Sequence, residues 1–87
     1  MIRRKKFTPG WMSALMLLAR ERVATPRLIA LQLGVSRFKA HWLLKRLVKM
    51  GYATLLARGV YLLTEEGERR YIQLCEALTE AKVSQQP

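Results

Sequence analysis

Between Ser36 and Gly51 the chain reads Ser-Arg-Phe-Lys-Ala-His-Trp-Leu-Leu-Lys-Arg-Leu-Val-Lys-Met-Gly, with two aromatics, one histidine and no acid. The chemistry open to such a set is anion binding: guanidinium and ammonium groups for phosphates, and mixed polar and aromatic groups for base edges. Spacing puts these groups on one helix. Ala40, Leu43, Leu44 and Leu47 recur at helical intervals as an apolar stripe. Phe38, Trp42, Lys45 and Lys49 fall on the opposite face, with His41 and Arg46 on its flanks. Ser36 can accept from the first free N–H groups, and Gly51 can take the left-handed turn that stops a helix. A helix apolar on one side and basic-aromatic on the other packs on a small core and offers its second face to a nucleic-acid groove.

Charge over the whole chain agrees. Sixteen Lys and Arg stand against six Asp and Glu, a net charge of +10. Residues 1–63 hold all but three of the bases (Arg69, Arg70 and Lys82) and a single acid, Glu21, whereas the remaining acids lie in residues 64–87. A charge kept only for solubility would not segregate in this way. The polyanion-binding surface belongs to the first three quarters of the chain.

Composition excludes several classes. At 87 residues, 51% of them hydrophobic, the chain is one folded domain and not a disordered one. A domain of this size buries about 60–65% of its unfolded surface, so its stability is marginal without help. One cysteine and one histidine allow neither a disulfide framework nor a metal cluster, and no cofactor is expected. No nucleophile–base–acid set and no phosphate-binding glycine loop can be named, so no enzyme is expected. No apolar stretch approaches the roughly 20 residues of a membrane span. Arg3-Arg4-Lys5-Lys6 ahead of Trp11–Ala19 imitates a signal peptide, but Thr8-Pro9-Gly10 interrupts it and Arg20-Glu21-Arg22 follows it. A cytoplasmic protein is the expectation.

The elements that position the basic helix follow from caps and periodicity. Residues 1–7 form a basic arm. Thr8-Pro9 opens a first helix that runs to about Arg22, and Val23-Ala24 has room for a very short strand. Thr25-Pro26 opens a second helix through Leu28, Ile29, Leu31 and Leu33, which turns at Gly34-Val35. A short helix, a tight glycine turn and a basic helix make a helix-turn-helix. Tyr52–Ala57 and Val60–Leu63 read as two strands joined at Arg58-Gly59. Thr64 caps a fourth helix with Glu65 and Glu66 in its first turn, where Gly67 weakens it slightly. That helix should reach about Lys82, leaving residues 84–87 frayed. The fold class expected is mainly α with a small β-hairpin (α+β), a three-helix core with a wing over residues 8–63 and a C-terminal helix over residues 64–83.

Ser36 to Gly51, then strand, turn and strand, then Leu63-Thr-Glu-Glu-Gly67, resembles the winged helix-turn-helix regulators of the MarR and PadR type. The likeness covers about residues 9–70. Those families have a recognition helix ending in Leu, three residues and Gly, then a wing, then Leu-Thr-x-x-Gly. The chain lacks a long N-terminal dimerisation helix, so the ligand pocket of MarR proteins does not carry over, and no small-molecule ligand is expected. In size it is closer to very short winged-helix proteins of plasmids, archaea and viruses. The resemblance and the helix phase together put Arg37, Phe38, His41, Trp42 and Lys45 near base edges, and Lys39, Arg46 and Lys49 nearer phosphates. The resemblance also puts Arg58, at the hairpin tip, and the arm residues Arg3, Arg4, Lys5 and Lys6 on the backbone or minor groove; the arm's other reading is a disordered solubilising end.

Some residues have more than one reading. Phe38 and Trp42 can stack on each other, complete the core, touch thymine methyls or a partner subunit, or stack on single-stranded bases. On the last helix Tyr71, Leu74, Cys75, Leu78 and Ala81 form a stripe, widened by Ile72 and Ala77. It either pairs two copies of the chain or folds back over its own core. Cys75 reads as a small hydrophobe. The function expected is sequence-specific binding of double-stranded DNA by a homodimeric transcriptional regulator. The alternatives are a winged-helix module that docks an acidic protein partner, and RNA binding through the same face.

Overall fold

In the computed structural model, which describes the backbone of residues 10–85 and the side chains of residues 10–79, two helices supply most of the core. They are α1 (Gly10–Glu21), which buries Ala14, Leu15, Leu17 and Leu18, and α3 (Arg37–Lys49), which buries Ala40, Leu43, Leu44 and Leu47. Ile29 from α2 (Pro26–Leu33) closes the centre. The largest of the fully buried side chains are Leu15, Leu18, Ile29, Leu44 and Leu47, each worth about 1.5–3 kcal/mol of transfer free energy. Among the described residues no buried side chain is polar or charged. All four residues of the expected α3 stripe are therefore core.

Three strands cover one end of the helices. β1 (Val23–Ala24), β2 (Ala53–Ala57) and β3 (Val60–Leu63) form an antiparallel sheet in the order β1-β3-β2, with Val23 opposite Leu62 and Leu55 opposite Tyr61. The hairpin thus gains a third strand. β2 and β3 are joined by Arg58-Gly59, where Gly59 takes φ 70°, and an irregularity between Leu55 and Ala57 twists the outer strand. The last element, α4 (Glu65–Gln85), leans on α1 through its first half.

Local chemistry explains the boundaries. Thr25 Oγ1 accepts from the Leu28 N–H at 3.2 Å and Ser36 Oγ from the Lys39 N–H at 3.0 Å, so both caps form as expected. The end of α3 is a two-bond glycine cap, with Gly51 at φ 87°, its N–H on Val48 O and the Tyr52 N–H on Leu47 O. Tyr52, expected in the strand, is used by this cap, and its ring lies 6.2 Å from that of Trp11.

Two further boundaries differ from expectation. The first helix stops one residue early, because Arg22 adopts φ 75°. A non-glycine residue there costs about 1 kcal/mol. In return, the Arg22 carbonyl accepts from the Leu63 N–H at 3.1 Å, which brings β1 into the sheet, and its guanidinium lies 3.6 Å from Glu68. At the other end α4 continues past Lys82 to Gln85, as its run of helix formers allows, so Ser84 and Gln85 are helical. Residues 1–9, with the basic arm and the Thr8-Pro9 start, and residues 86–87 lie outside the described residues.

Gly67 does more than weaken a turn. It is buried, and a Cβ there would sit on the Tyr52 carbonyl oxygen and 2.8 Å from Leu63 Cδ1. Only glycine lets the first turn of α4 lie against the end of α3 and the wing. Gly67→Ala is expected to lower the unfolding free energy by at least about 2 kcal/mol in urea titrations, despite alanine's better helix propensity. Unchanged or higher stability would contradict this packing.

Candidate nucleic-acid interface

Burying Ala40, Leu43, Leu44 and Leu47 fixes which way the rest of α3 points. Arg37, Phe38, Lys39, His41, Trp42, Lys45, Arg46 and Lys49 are all exposed. The structure thus brings eight of the expected site residues onto one solvent-facing surface. Arg58 is exposed at the tip of the wing. Arg3, Arg4, Lys5 and Lys6 lie outside the described residues.

The two aromatics separate in role. Trp42 is half exposed, with Lys39 Nζ 5.7 Å and Arg46 Cζ 5.6 Å from its ring centre. It acts as a platform that holds one cation a turn before it and another a turn after, each contact worth about 0.5–1 kcal/mol at an exposed site. Trp42, Lys45, Arg46 and Lys49 line a shallow groove on the outer face. Among the described residues Phe38 has no such engagement, and it is 84% exposed. Neither ring completes the core.

Electrostatics on this surface run against the fold's own interest. Among the described residues the ion pairs are Arg20–Glu21, Arg22–Glu68 and Arg69–Glu66, and none involves α3 or the wing. The Arg69 guanidinium, beside Glu66, is held even more firmly protonated than usual. α4 follows the dipole rule, with Glu65, Glu66 and Glu68 in its first turn. α2 and α3 break it, because neither has an acid in its first turn, and Arg27, Arg37 and Lys39 stand there instead. A base at a helix N-terminus forfeits a few tenths of a kcal/mol unless an external anion compensates it. Arg27 was missed by the reading of the sequence; the absence of acid in the turn after Thr25-Pro26 was the available signal.

The stripe on α4 divides. Leu74 packs against the core, and Tyr71 is half-buried in a cleft with Met16, Leu17 and Leu33. A hydrogen bond with the Cys75 thiol pushes the Tyr71 hydroxyl above the usual tyrosine range. Leu78 is 56% exposed, and Ile72 is also exposed. Among the described residues the inner edge therefore serves this domain and the outer edge is exposed; the Ala81 side chain lies outside them.

No protein-family model matches the chain, and no curated protein does. Solved structures do. A MarR family protein from Bacillus stearothermophilus is similar at a TM-score of 0.78 and 20% identity, over 92% of this chain and 59% of that one. A transcriptional regulator from Thermotoga maritima gives 0.66 at 28% identity, over 88% and 60%. FabT of Streptococcus pneumoniae, in complex with DNA, gives 0.66 at 21% identity, over 99% and 66%. The chain has the winged helix-turn-helix fold of MarR-like proteins, and it spans 59% to 66% of the length of these three. Of these three, the Thermotoga maritima protein is described as a transcriptional regulator.

The division of α3 into a core face and a free face has a direct test. Leu44→Ala should cost about 2–5 kcal/mol of stability, whereas Phe38→Ala should stay within about 0.5 kcal/mol of the wild type in denaturant unfolding. A large loss on removing Phe38 would mean that the ring supports the fold.

Proposed function

We propose that this protein binds double-stranded DNA in a sequence-specific manner as a transcriptional regulator, with α3 in the major groove. The observation that carries the reading is the free face of α3: five bases and two aromatics, no acid, and no ion pair among the described residues. Thirteen helical residues make a rod about 20 Å long and 10–12 Å across, which fits a major groove about 12 Å wide. In a helix-turn-helix the N-terminal residues of the second helix face base edges while the first helix crosses the backbone. On that geometry Arg37, Phe38, His41 and Lys45 read bases, and Lys39, Arg46, Lys49 and Arg27 contact phosphates. Arg58 and the arm residues Arg3, Arg4, Lys5 and Lys6 reach the backbone or the adjacent minor groove. The DNA complex of FabT, a protein of similar fold, supports the reading.

The reading includes a homodimer through α4. Ile72 and Leu78 leave an apolar outer edge, and the acids of α4 keep it away from the basic surface. Two-fold pairing would match a palindromic site with half-sites about 34 Å apart, or a multiple of that distance.

Two measurements check these proposals. Affinity for duplex DNA should fall with salt by about 0.9 decade per decade for each phosphate neutralised, so a dimer contacting about 6–10 phosphates shows a steep slope. A flat dependence, or no duplex binding at low salt, would favour an acidic protein partner instead. Leu78→Glu should give a folded monomer by sedimentation, with much weaker binding to a two-half-site operator but unchanged binding to a single half-site. A wild type that sediments as a monomer at tens of micromolar in moderate salt rules the pairing out.

A further inference from the structure

Phe38 is the second residue of α3 and the most exposed large apolar side chain among the described residues, at 84%. It lies on the face opposite Ala40, Leu43, Leu44 and Leu47, all of which are buried. The aromatic contact found among the described residues joins Trp11 and Tyr52, so Phe38 neither stacks on Trp42 nor fills a gap. The other exposed side chains of α3 from Arg37 to Arg46 all carry a polar group: Arg37, Lys39, His41, Lys45, Arg46 and the indole of Trp42. A ring with no donor or acceptor, set among groups that have them, has to be matched by an apolar feature of the partner.

The major groove presents few such features. Guanine and adenine show N7 with O6 or an amino group, cytosine shows an amino group, and only thymine carries a methyl group, at C5. We infer that Phe38 is a thymine-reading residue, its ring packed on the 5-methyl of one thymine in each half-site. The assignment rests on the duplex-binding reading above. It also separates the two aromatics of α3. Trp42, engaged by Lys39 and Arg46, is a positioning residue that aims two cations at phosphates and reads no base.

The test combines selection with removal of a single methyl group. Duplexes are selected from a random pool by the wild-type protein, and each thymine of the selected site is then replaced in turn by deoxyuridine. One thymine per half-site should respond, with wild-type affinity falling about fourfold for the lost methyl. Phe38→Ala should bind the thymine and uridine versions equally well. Trp42→Ala should keep the fourfold difference while binding selected and random duplexes more weakly alike. The uridine series uses the unaltered protein, so it reads the contact independently of how any variant folds.

The assignment falls, with DNA reading intact, if a defined site is selected but no thymine-to-uridine change alters affinity. It falls also if Phe38→Ala keeps the difference. Tighter binding of the wild type to single strands than to the selected duplex would mean that Phe38 stacks on unpaired bases, which likewise overturns it. Failure to prefer any duplex over random DNA would remove the underlying function as well.

Discussion

Thr64 is where three parts of the molecule meet, and their relative geometry depends on it. Its hydroxyl donates to the Gly51 carbonyl at 2.6 Å, at the end of α3, and accepts from the Gly67 N–H at 3.0 Å, in the first turn of α4. Its own N–H, directly after β3, donates to the Tyr52 carbonyl at 3.1 Å. Each bond is worth about 1 kcal/mol net, which is modest, but together they leave the wing little freedom to swing relative to α3. Gly67 beneath this junction removes the one Cβ that would force the helices apart. The base of the wing is therefore held against the end of α3 by the fold itself, with Arg58 at the far end of the hairpin.

The same rigidity explains how so basic a face is tolerated. Burial of Ala40, Leu43, Leu44 and Leu47 holds α3 in one orientation whatever its outer side carries. Helix-terminal bases set against the dipole and unpaired like charges each cost a fraction of a kcal/mol, in a domain whose total margin is about 5–15 kcal/mol. Acids that could have relieved the repulsion sit at the end of α1 and on α4. Charge has been sorted between surfaces, at some cost to folding.

Much of this was legible from local chemistry. The caps at Thr25, Ser36 and Thr64, the glycine stop at Gly51 and the α3 stripe are short-range signals, and the structure realises each of them. What escaped depends on contacts distant in sequence. The need for Gly67 arises from Tyr52 and Leu63, fifteen and four residues away, and a helix-propensity argument sees only a weakened turn. The left-handed Arg22 is stabilised by Leu63, through pairing that no window around Arg22 reveals. Tyr52 has strong strand propensity, yet the α3 cap claims its N–H first. On α4 only part of the apolar stripe is covered by the domain's own core, leaving Ile72 and Leu78 exposed, and periodicity alone does not show where the covering stops. For Phe38 and Trp42 the sequence left core and contact open; exposure and the cations beside Trp42 distinguish them.

The central claim is that the outward face of α3 occupies the major groove. Methylation protection tests it most directly, because dimethyl sulfate attacks guanine N7 on the major-groove edge and adenine N3 on the minor-groove edge of the same duplex. With saturating protein on a selected site, guanine N7 atoms within each half-site should be protected, and adenine N3 protection should be confined to the flanks, where Arg58 and the arm are proposed to bind. Guanine N7 atoms that remain fully reactive while the duplex is bound, or protection found only at adenine N3, would contradict the account.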